Sequence, residues 1–553
     1  MKRLVPILLL LLLTIPVFGS LIRSGYFPMH DDMQAMRLLQ IDKCFKDGQI
    51  PCRWVPDMGY GYGYPQFNFY SPAPYYIMEG FHLVGFGYLD SVKIGFILSV
   101  LFGAAGMYLL GSSLWGRSGG MISALFYSFA NYRAVNMYVR GAMGELSALT
   151  FMPFILWSVF KLYKGNKRFM FWTAFFMAGL ITSHNISTLI FIPVIILWSL
   201  FLPFYLSTSP VALFKKNVLV LSGSALWSLM LSAYFILPAW MEKEYVHIES
   251  MLQGYFNYLA HFVSIKQLLF SSYFNYGTSG LGAYDEMSLT VGFLSWFLPI
   301  CTLMMFLIIR KKKETQTLAL FLFIGFLALF MTHSKSTFIW QRINVLSYLQ
   351  FPWRFLAIAT LSFSVACGSF SLLLNEKRQR AFAVILIFFL LVFLNSSYFQ
   401  PKLWLNIDDE DKFSGDLWEK QLTISIFDYL PIYAKAPPAE KAFNEPRFIQ
   451  GEGKVLTGEK GSDWQNWQIS VDTKGKLQLP LFYYPGWVVN VNSGQRLINY
   501  DNDLGLITFD VDQNDRTVNA KLYDTPLRKF SNILTLLGVL AIPIYFFKLR
   551  KNV

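Results

Sequence analysis

The chain of 553 residues is 54% apolar, carries charge at only 15% of its positions and has a mean hydropathy of +0.41. Soluble domains carry about 25% charged residues, so this surface is not built mainly for water. The net charge of +13 admits a nucleic-acid partner, an anionic lipid surface or the Lys/Arg bias of cytoplasmic loops, and the placement of the basic residues decides among them. Four cysteines exclude a disulfide scaffold, and no CxxC or Cys/His cluster has zinc-site spacing.

A bilayer core about 30 Å thick needs roughly 20 apolar residues per helix. Twelve stretches come near that: 5–22, 91–112, 119–136, 144–162, 169–183, 187–206, 218–237, 289–309, 317–333, 355–374, 381–397 and 529–547. The first ends in Val17-Phe18-Gly19, a tolerable cleavage site behind a basic start, so it reads either as a span or as a signal peptide. Basic clusters then fall on alternate connections: Lys2 and Arg3, Arg117, Lys161 to Arg168, Lys215 and Lys216, Arg310 to Lys313, Lys377 to Arg380, and Lys548 to Lys551. Those connections hold nineteen basic residues against two acids, Glu314 and Glu376, which more than accounts for the net charge. By the positive-inside rule both termini are cytoplasmic, and the basic pI records orientation and gives no support to a nucleic-acid partner.

The outer side receives loop 1 (23–90), a second loop (238–288) and the segment 398–528. In that segment charges and period-2 alternation replace apolar runs, as in Trp487-Val488-Val489-Asn490-Val491 and Ile507-Thr508-Phe509-Asp510-Val511. The sequence thus predicts a mainly α, polytopic transmembrane bundle over 1–397, an extracytoplasmic antiparallel β domain over 398–528, and a last helix with a basic tail over 529–553.

Ionisable groups at membrane depth are costly and mark function, and the candidates all belong to outer helix ends. Asp31 and Asp32, in His30-Asp31-Asp32 just after the first stretch, read as a general base or divalent-ion pair, or else as an N-cap. Arg140 and Glu145 straddle the start of the fourth stretch, reading as a phosphate ligand and a second acid or as a local ion pair. His184-Asn185 interrupts an apolar run, as a re-entrant polar turn or a plain connection. Arg354, in Phe351-Pro352-Trp353-Arg354, reads as a ligand for a leaving phosphate or as an interfacial anchor. Loop 1 adds an aromatic stripe that includes Tyr62, Tyr64, Phe69 and Tyr70, suited to sugar rings, prenyl chains or headgroups. Cys44 and Cys52 are spaced for a small disulfide and read equally well as a free pair. No GxxxxGK[ST] or HExxH motif is present, which argues against a cytosolic nucleotide as donor.

Together these features resemble the GT-C class of integral-membrane glycosyltransferases, with an acidic motif directly after the first helix and a second acid further along. More closely, the chain resembles the prokaryotic polytopic membrane proteins called 6-pyruvoyl-tetrahydropterin-synthase-related and their YfhO-like relatives. That likeness is carried by His30-Asp31-Asp32, Pro51 to Trp54, Gly59 to Pro72, Arg140 to Glu145, His184-Asn185, Gln350 to Arg354 and Tyr484 to Trp487. No histidine triad for a pterin-site zinc is visible, so the name implies no pterin activity. The resemblance implies a polyprenyl-phosphate sugar donor and a glycan, lipid or protein acceptor at the outer face of the plasma membrane. It makes Asp31 or Asp32 the base and Glu145 the second acid, with Arg140, His184 and Arg354 on the donor phosphate. His30, Asn185, Tyr62, Tyr64, Phe69 and Tyr70 would then contact substrate. The aspartate pair permits a divalent cation (Mg or Mn) without requiring one. The competing expectation is a transporter or flippase of lipid-linked sugars, which the lack of half-to-half symmetry in the sequence disfavours.

Overall fold

The computed structural model describes residues 5–551 apart from 281–284, 425 and 427, so Lys2 and Arg3 lie outside the described residues. Among the described residues seven helices are long and apolar enough to cross a membrane: Tyr88–Ser128, Met143–Tyr163, Asn185–Leu206, Lys312–Thr332, Pro352–Leu373, Lys377–Tyr398 and Pro526–Arg550. The pair Pro210–Leu231 and Ala233–Met241 makes an eighth span bent by 76°, and Pro6–Ile22, Phe169–Ser183 and Phe293–Ile308 are shorter apolar helices. The chain is a mostly helical, multi-span membrane protein with a β layer before its last helix.

The expected twelve stretches do not become twelve equal spans. Two of them share the 41-residue helix Tyr88–Ser128, which unbroken would run about 60 Å, twice a bilayer core. Gly116 breaks it at φ 78° and ψ 176°, a backbone conformation open essentially to glycine alone. Small residues then let the two limbs approach closely: a Cβ on Gly120 would lie 2.0 Å from Ser112 Oγ, and one on Gly111 would lie 2.8 Å from Ser123 Oγ. The second limb stops at Ser128, short of the expected 136, and a π-helical turn at Val135–Val139 aims Arg140 back across the bundle end.

Basic connections gather at one end of this bundle. Tyr545 donates to the Lys167 carbonyl at 2.5 Å, Lys311 Nζ to the Leu372 carbonyl at 2.7 Å, and Ser371 Oγ to the Trp115 carbonyl at 3.3 Å. The opposite end carries loop 1 and the 238–288 loop. Among the seven long spans, Met143–Tyr163 and Pro352–Leu373 are the most enclosed, at 78% and 83% buried, whereas Pro526–Arg550 is 11% buried. These two central helices open at the loop-covered end.

The β layer is a two-sheet sandwich. Strands β1 (Arg447–Gln450), β4 (Gly475–Phe482) and β7 (Leu506–Val511) form one antiparallel sheet in the order β1-β4-β7. Strands β2 (Gly453–Lys460), β3 (Trp464–Val471), β8 (Thr517–Leu522), β5 (Trp487–Val491) and β6 (Gly494–Arg496) form the other, in that order. Alternate residues of the strands, such as Ile469, Val489 and Val518 from one sheet and Leu477, Leu479 and Phe509 from the other, fill one core. Trp54, Tyr62 and Phe69 of loop 1 enter the same core. Cys44 and Cys52 of that loop are joined by a disulfide.

Candidate active site

Neither Asp31 nor Asp32 caps the helix Gln34–Lys46: the N-cap is Met33, with no side-chain cap bond. The turn is instead stitched to the segment that opens the Met143–Tyr163 helix. His30 N–H donates to the Val139 carbonyl and Asp31 N–H to the Arg140 carbonyl, both at 2.9 Å, and the Gln34 amide donates to the Gly141 carbonyl at 2.8 Å. Asp31 Oδ2 accepts from Arg37 Nη1 at 2.8 Å and from Gln34 Nε2 at 3.0 Å, with its side chain 35% exposed. Arg37 lies over the Tyr70 ring at 4.2 Å, and Tyr75 donates to Gln34 Oε1 at 2.6 Å, so the ligands of Asp31 are themselves held. Half-buried Asp428 lies within electrostatic reach of Asp31 and Arg37, and desolvation pushes its carboxyl up to about 6.

Beside this carboxylate stands a cationic cluster. Glu145, 2% exposed, accepts from Arg140 Nη1 at 2.7 Å and from the Tyr132 hydroxyl, and Arg354 Nε lies 3.8 Å from the same oxygen that Arg140 holds. Arg140 also donates to Asn136 Oδ1 at 2.5 Å and stacks over Trp353 at 4.5 Å, while Arg354 Nη1 donates to the Leu349 carbonyl at 2.8 Å. His184 caps the helix Asn185–Leu206 by accepting from Ser187 N–H at 3.2 Å, and lies within electrostatic reach of Glu145, Arg354 and Arg140. Gly144 makes that approach fit, since a Cβ there would meet the Ser183 carbonyl at 2.8 Å. Two guanidiniums share one carboxylate, so the cluster keeps one uncompensated positive charge.

The structure therefore brings together Asp31, Arg140, Glu145, His184, Arg354 and Tyr70 and sends the other expected residues elsewhere. Asp32 turns from Asp31 to Lys412, with Oδ2 at 2.9 Å from Nζ, so the two carboxylates face different partners and form no common clamp. Burial lifts Asp32 above the usual carboxylate range despite the Lys412 ammonium. Glu145 sits in a different setting from a free second acid, its oxygens being engaged by two cations and a phenol. Tyr62, Tyr64 and Phe69 are buried, packing on Phe482 (5.2 Å) and Tyr429 (6.2 and 5.7 Å), because glycines and prolines fold the stripe inward onto the sandwich instead of outward to a ligand. His30 donates to the Tyr276 carbonyl at 2.9 Å, and exposed Asn185 accepts from Ile186 N–H at 2.9 Å. Among the described residues no group of three or more His, Cys, Asp or Glu side chains is placed to hold a metal.

Arg37, Gln34, Tyr75, Tyr132 and Asp428 belong to the site and were not anticipated. Arg37 and Gln34 sit six and three residues after Asp31, on the amphipathic run that the sequence does show, so a helical projection of that run finds them. Asp428 comes from a stretch nearly 400 residues away in the chain and leaves no local signal.

No family model matches the chain. It is 24% identical over 231 residues to an uncharacterized protein of Lactococcus lactis subsp. cremoris (strain MG1363), a match that spans 40% of this chain and 35% of that relative. Among solved structures it is similar to the arabinofuranosyltransferase AftD from Mycobacteria, at TM-score 0.47 and 14% identity over 73% of this chain and 27% of that one. It is also similar to the Archaeoglobus fulgidus oligosaccharyltransferase, at TM-score 0.40 and 12% identity over 77% of this chain and 63% of that one. At these values the likeness carries no functional weight, and function is read from the site itself.

Proposed function

We propose that the chain is a GT-C-type membrane glycosyltransferase, moving a sugar from a polyprenyl-phosphate donor to a hydroxyl of an acceptor at the extracytoplasmic face of the plasma membrane, with both termini cytoplasmic. One observation carries this reading: a solvent-reachable carboxylate, Asp31, stands beside an arginine pair with one uncompensated positive charge. Such a pairing serves a reaction that deprotonates an alcohol on one side and releases a phosphate on the other.

Asp31 takes the proton of the acceptor hydroxyl as its oxygen attacks the anomeric carbon. The bond from that carbon to the phosphate oxygen breaks on the opposite side, and the electron pair leaves with the prenyl phosphate. Arg140 and Arg354 stabilise the charge that develops there, and Glu145 fixes both guanidiniums in advance. A single displacement of this kind inverts the anomeric configuration. Arg37 and Gln34 orient Asp31. The aspartate pair does not fit a divalent cation, since Asp32 is committed to Lys412, so no step runs through one.

Radiolabelled polyprenyl-phosphate sugars and purified full-length protein test the proposal. Asp31→Asn is expected to slow transfer by about 10²- to 10⁴-fold, the usual contribution of a positioned base. A well-folded Asp31→Asn variant that transfers sugar at the wild-type rate would sink the assignment. Movement of the lipid-linked sugar between leaflets with no new glycosidic bond would replace it with a transporter.

A further inference from the structure

The 238–288 loop takes no part in the reaction above, yet one of its side chains reaches the arginine pair. Its turn Tyr258–His261 is pinned to the bundle by Val263 N–H, which donates at 2.9 Å to the Thr332 carbonyl, the last residue of the Lys312–Thr332 span. His261, 1% exposed, meets fully buried Ser279 of the same loop, with Nδ1 at 2.8 Å from Ser279 Oγ. Ser279 Oγ lies 3.1 Å from Trp353 Nε1, and the Trp353 ring is the one on which Arg140 stacks.

The direction of each bond follows from what each atom is able to do. An indole N–H only donates, so Ser279 Oγ accepts from Trp353. A carbonyl only accepts, so His261 Nε2, 2.5 Å from the Tyr255 carbonyl, carries a hydrogen. Burial holds the imidazole below its ordinary pKa, which keeps it neutral and leaves Nδ1 as an acceptor. Ser279 therefore donates to Nδ1. The chain runs from Trp353 through Ser279 and His261 to the Tyr255 carbonyl, each donor matched to an acceptor.

Ring contacts make the same connection. His261 meets Phe351 edge to face at 4.7 Å, Phe351 stacks on Trp353 at 4.7 Å, and Arg354 lies over Phe351 at 5.1 Å. A guanidinium on an aromatic face is only as well placed as the ring beneath it, and the Nε1 bond is what stops the indole from pivoting. We infer that His261 is a positioning residue for the arginine pair: through Ser279 it fixes the Trp353 face, and with it the Arg140 guanidinium, where the donor phosphate leaves. The hold on Arg140 stands on these contacts alone; the phosphate rests on the transferase reading.

The test uses full-length protein in detergent and two readouts: the rate at which phenylglyoxal labels Arg140, followed by mass spectrometry, and the affinity for farnesyl phosphate, with farnesol as the uncharged control. Ser279→Ala cuts the chain in the middle and should raise Arg140 labelling and weaken farnesyl phosphate binding by about fivefold each, the worth of one hydrogen bond. Two variants at 261 separate positioning from packing, and decide the matter even where Ser279→Ala does not fold. His261→Asn keeps an acceptor in the place of Nδ1 and should stay within about twofold of wild type, whereas His261→Gln keeps a donor in the place of Nε2 and should behave like Ser279→Ala. Arg140 labelling that is the same in all the variants as in wild type, or a Gln variant that matches the Asn variant, would overturn the inference, as would altered labelling with farnesyl phosphate bound as tightly as before. Labelling that follows the expected order in a protein whose wild type binds farnesyl phosphate no better than farnesol would support the hold on Arg140 and overturn the transferase reading alone.

Discussion

Glu145 and Asp31 are both carboxylates beside arginines, and their surroundings give them opposite consequences on substitution. Glu145 is 2% exposed and is the shared counter-ion of Arg140 and Arg354, so Glu145→Gln leaves two enclosed guanidiniums unpaired. Breaking such a pair costs about 3–5 kcal/mol, expected as a large drop in thermal stability in detergent; an unchanged melting temperature would show that the arginines do not depend on it. Arg354→Lys keeps a charge but loses the planar fork, and should raise KM for the proposed prenyl-phosphate donor by roughly tenfold with a smaller change in stability. Asp428 sets a pH dependence. Its folded pKa of about 6 lies above the unfolded value of 3.8, because desolvation and the Asp31 charge outweigh the pull of Arg37. The group therefore binds its proton more tightly when folded, and its contribution is complete below about pH 4 and lost as pH rises through about 6. Asp428→Asn should flatten the stability profile across that window and raise stability at pH 7, and a profile identical to wild type would refute the assignment. The residue types of the cluster were legible because polar groups stand out at apolar helix ends. Which oxygen faces which cation was not, since the split of Asp31 toward Arg37 and Asp32 toward Lys412 depends on a helix that packs from more than 370 residues away.

Helical runs were legible from hydropathy because lipid demands continuous apolar length, and all twelve stretches fall on apolar helical segments. Their division was less so: the reversal at Gly116 is set by a glycine-only backbone and close packing of small residues, and neither it nor the 76° bend after Leu231 registers in a hydropathy window. Strands β5 and β7 were visible by alternation, whereas β1 and β2 were not, since they are edge strands whose side chains are mostly exposed. Gly116 offers the measurement at this scale. Any side chain there meets open space but must adopt a backbone conformation costing about 1–3 kcal/mol. Gly116→Ala is thus expected to lower stability by that amount without steric overlap, and a Gly116→Ala protein as stable as wild type would mean that the limbs alone impose the turn.

At the scale of the molecule, loop 1 is the part that joins the membrane bundle to the sandwich. Its first half carries the helix with Arg37, its second half carries Tyr70, and Trp54 between them is 1% exposed against Trp487 at 5.6 Å and Tyr484 at 5.9 Å. Arg53 beside it donates to Asp524 at 3.1 Å, Asn68 at 3.1 Å and Asn532 at 2.8 Å, tying the loop to the connection that follows β8 and to the last helix. The sandwich thus acts on the site through the loop it anchors, by holding Tyr70 under Arg37 and Arg37 on Asp31. Trp54→Ala removes a large buried side chain at that junction, a loss of about 3–5 kcal/mol in local packing. Amide exchange should rise across residues 49–70 and in β4 and β5 while the Met143–Tyr163 helix stays protected, and transfer should fall with Asp31 untouched. If exchange in loop 1 stays at the wild-type level, the loop is held by the disulfide and the membrane bundle, and the sandwich has no part in positioning Asp31.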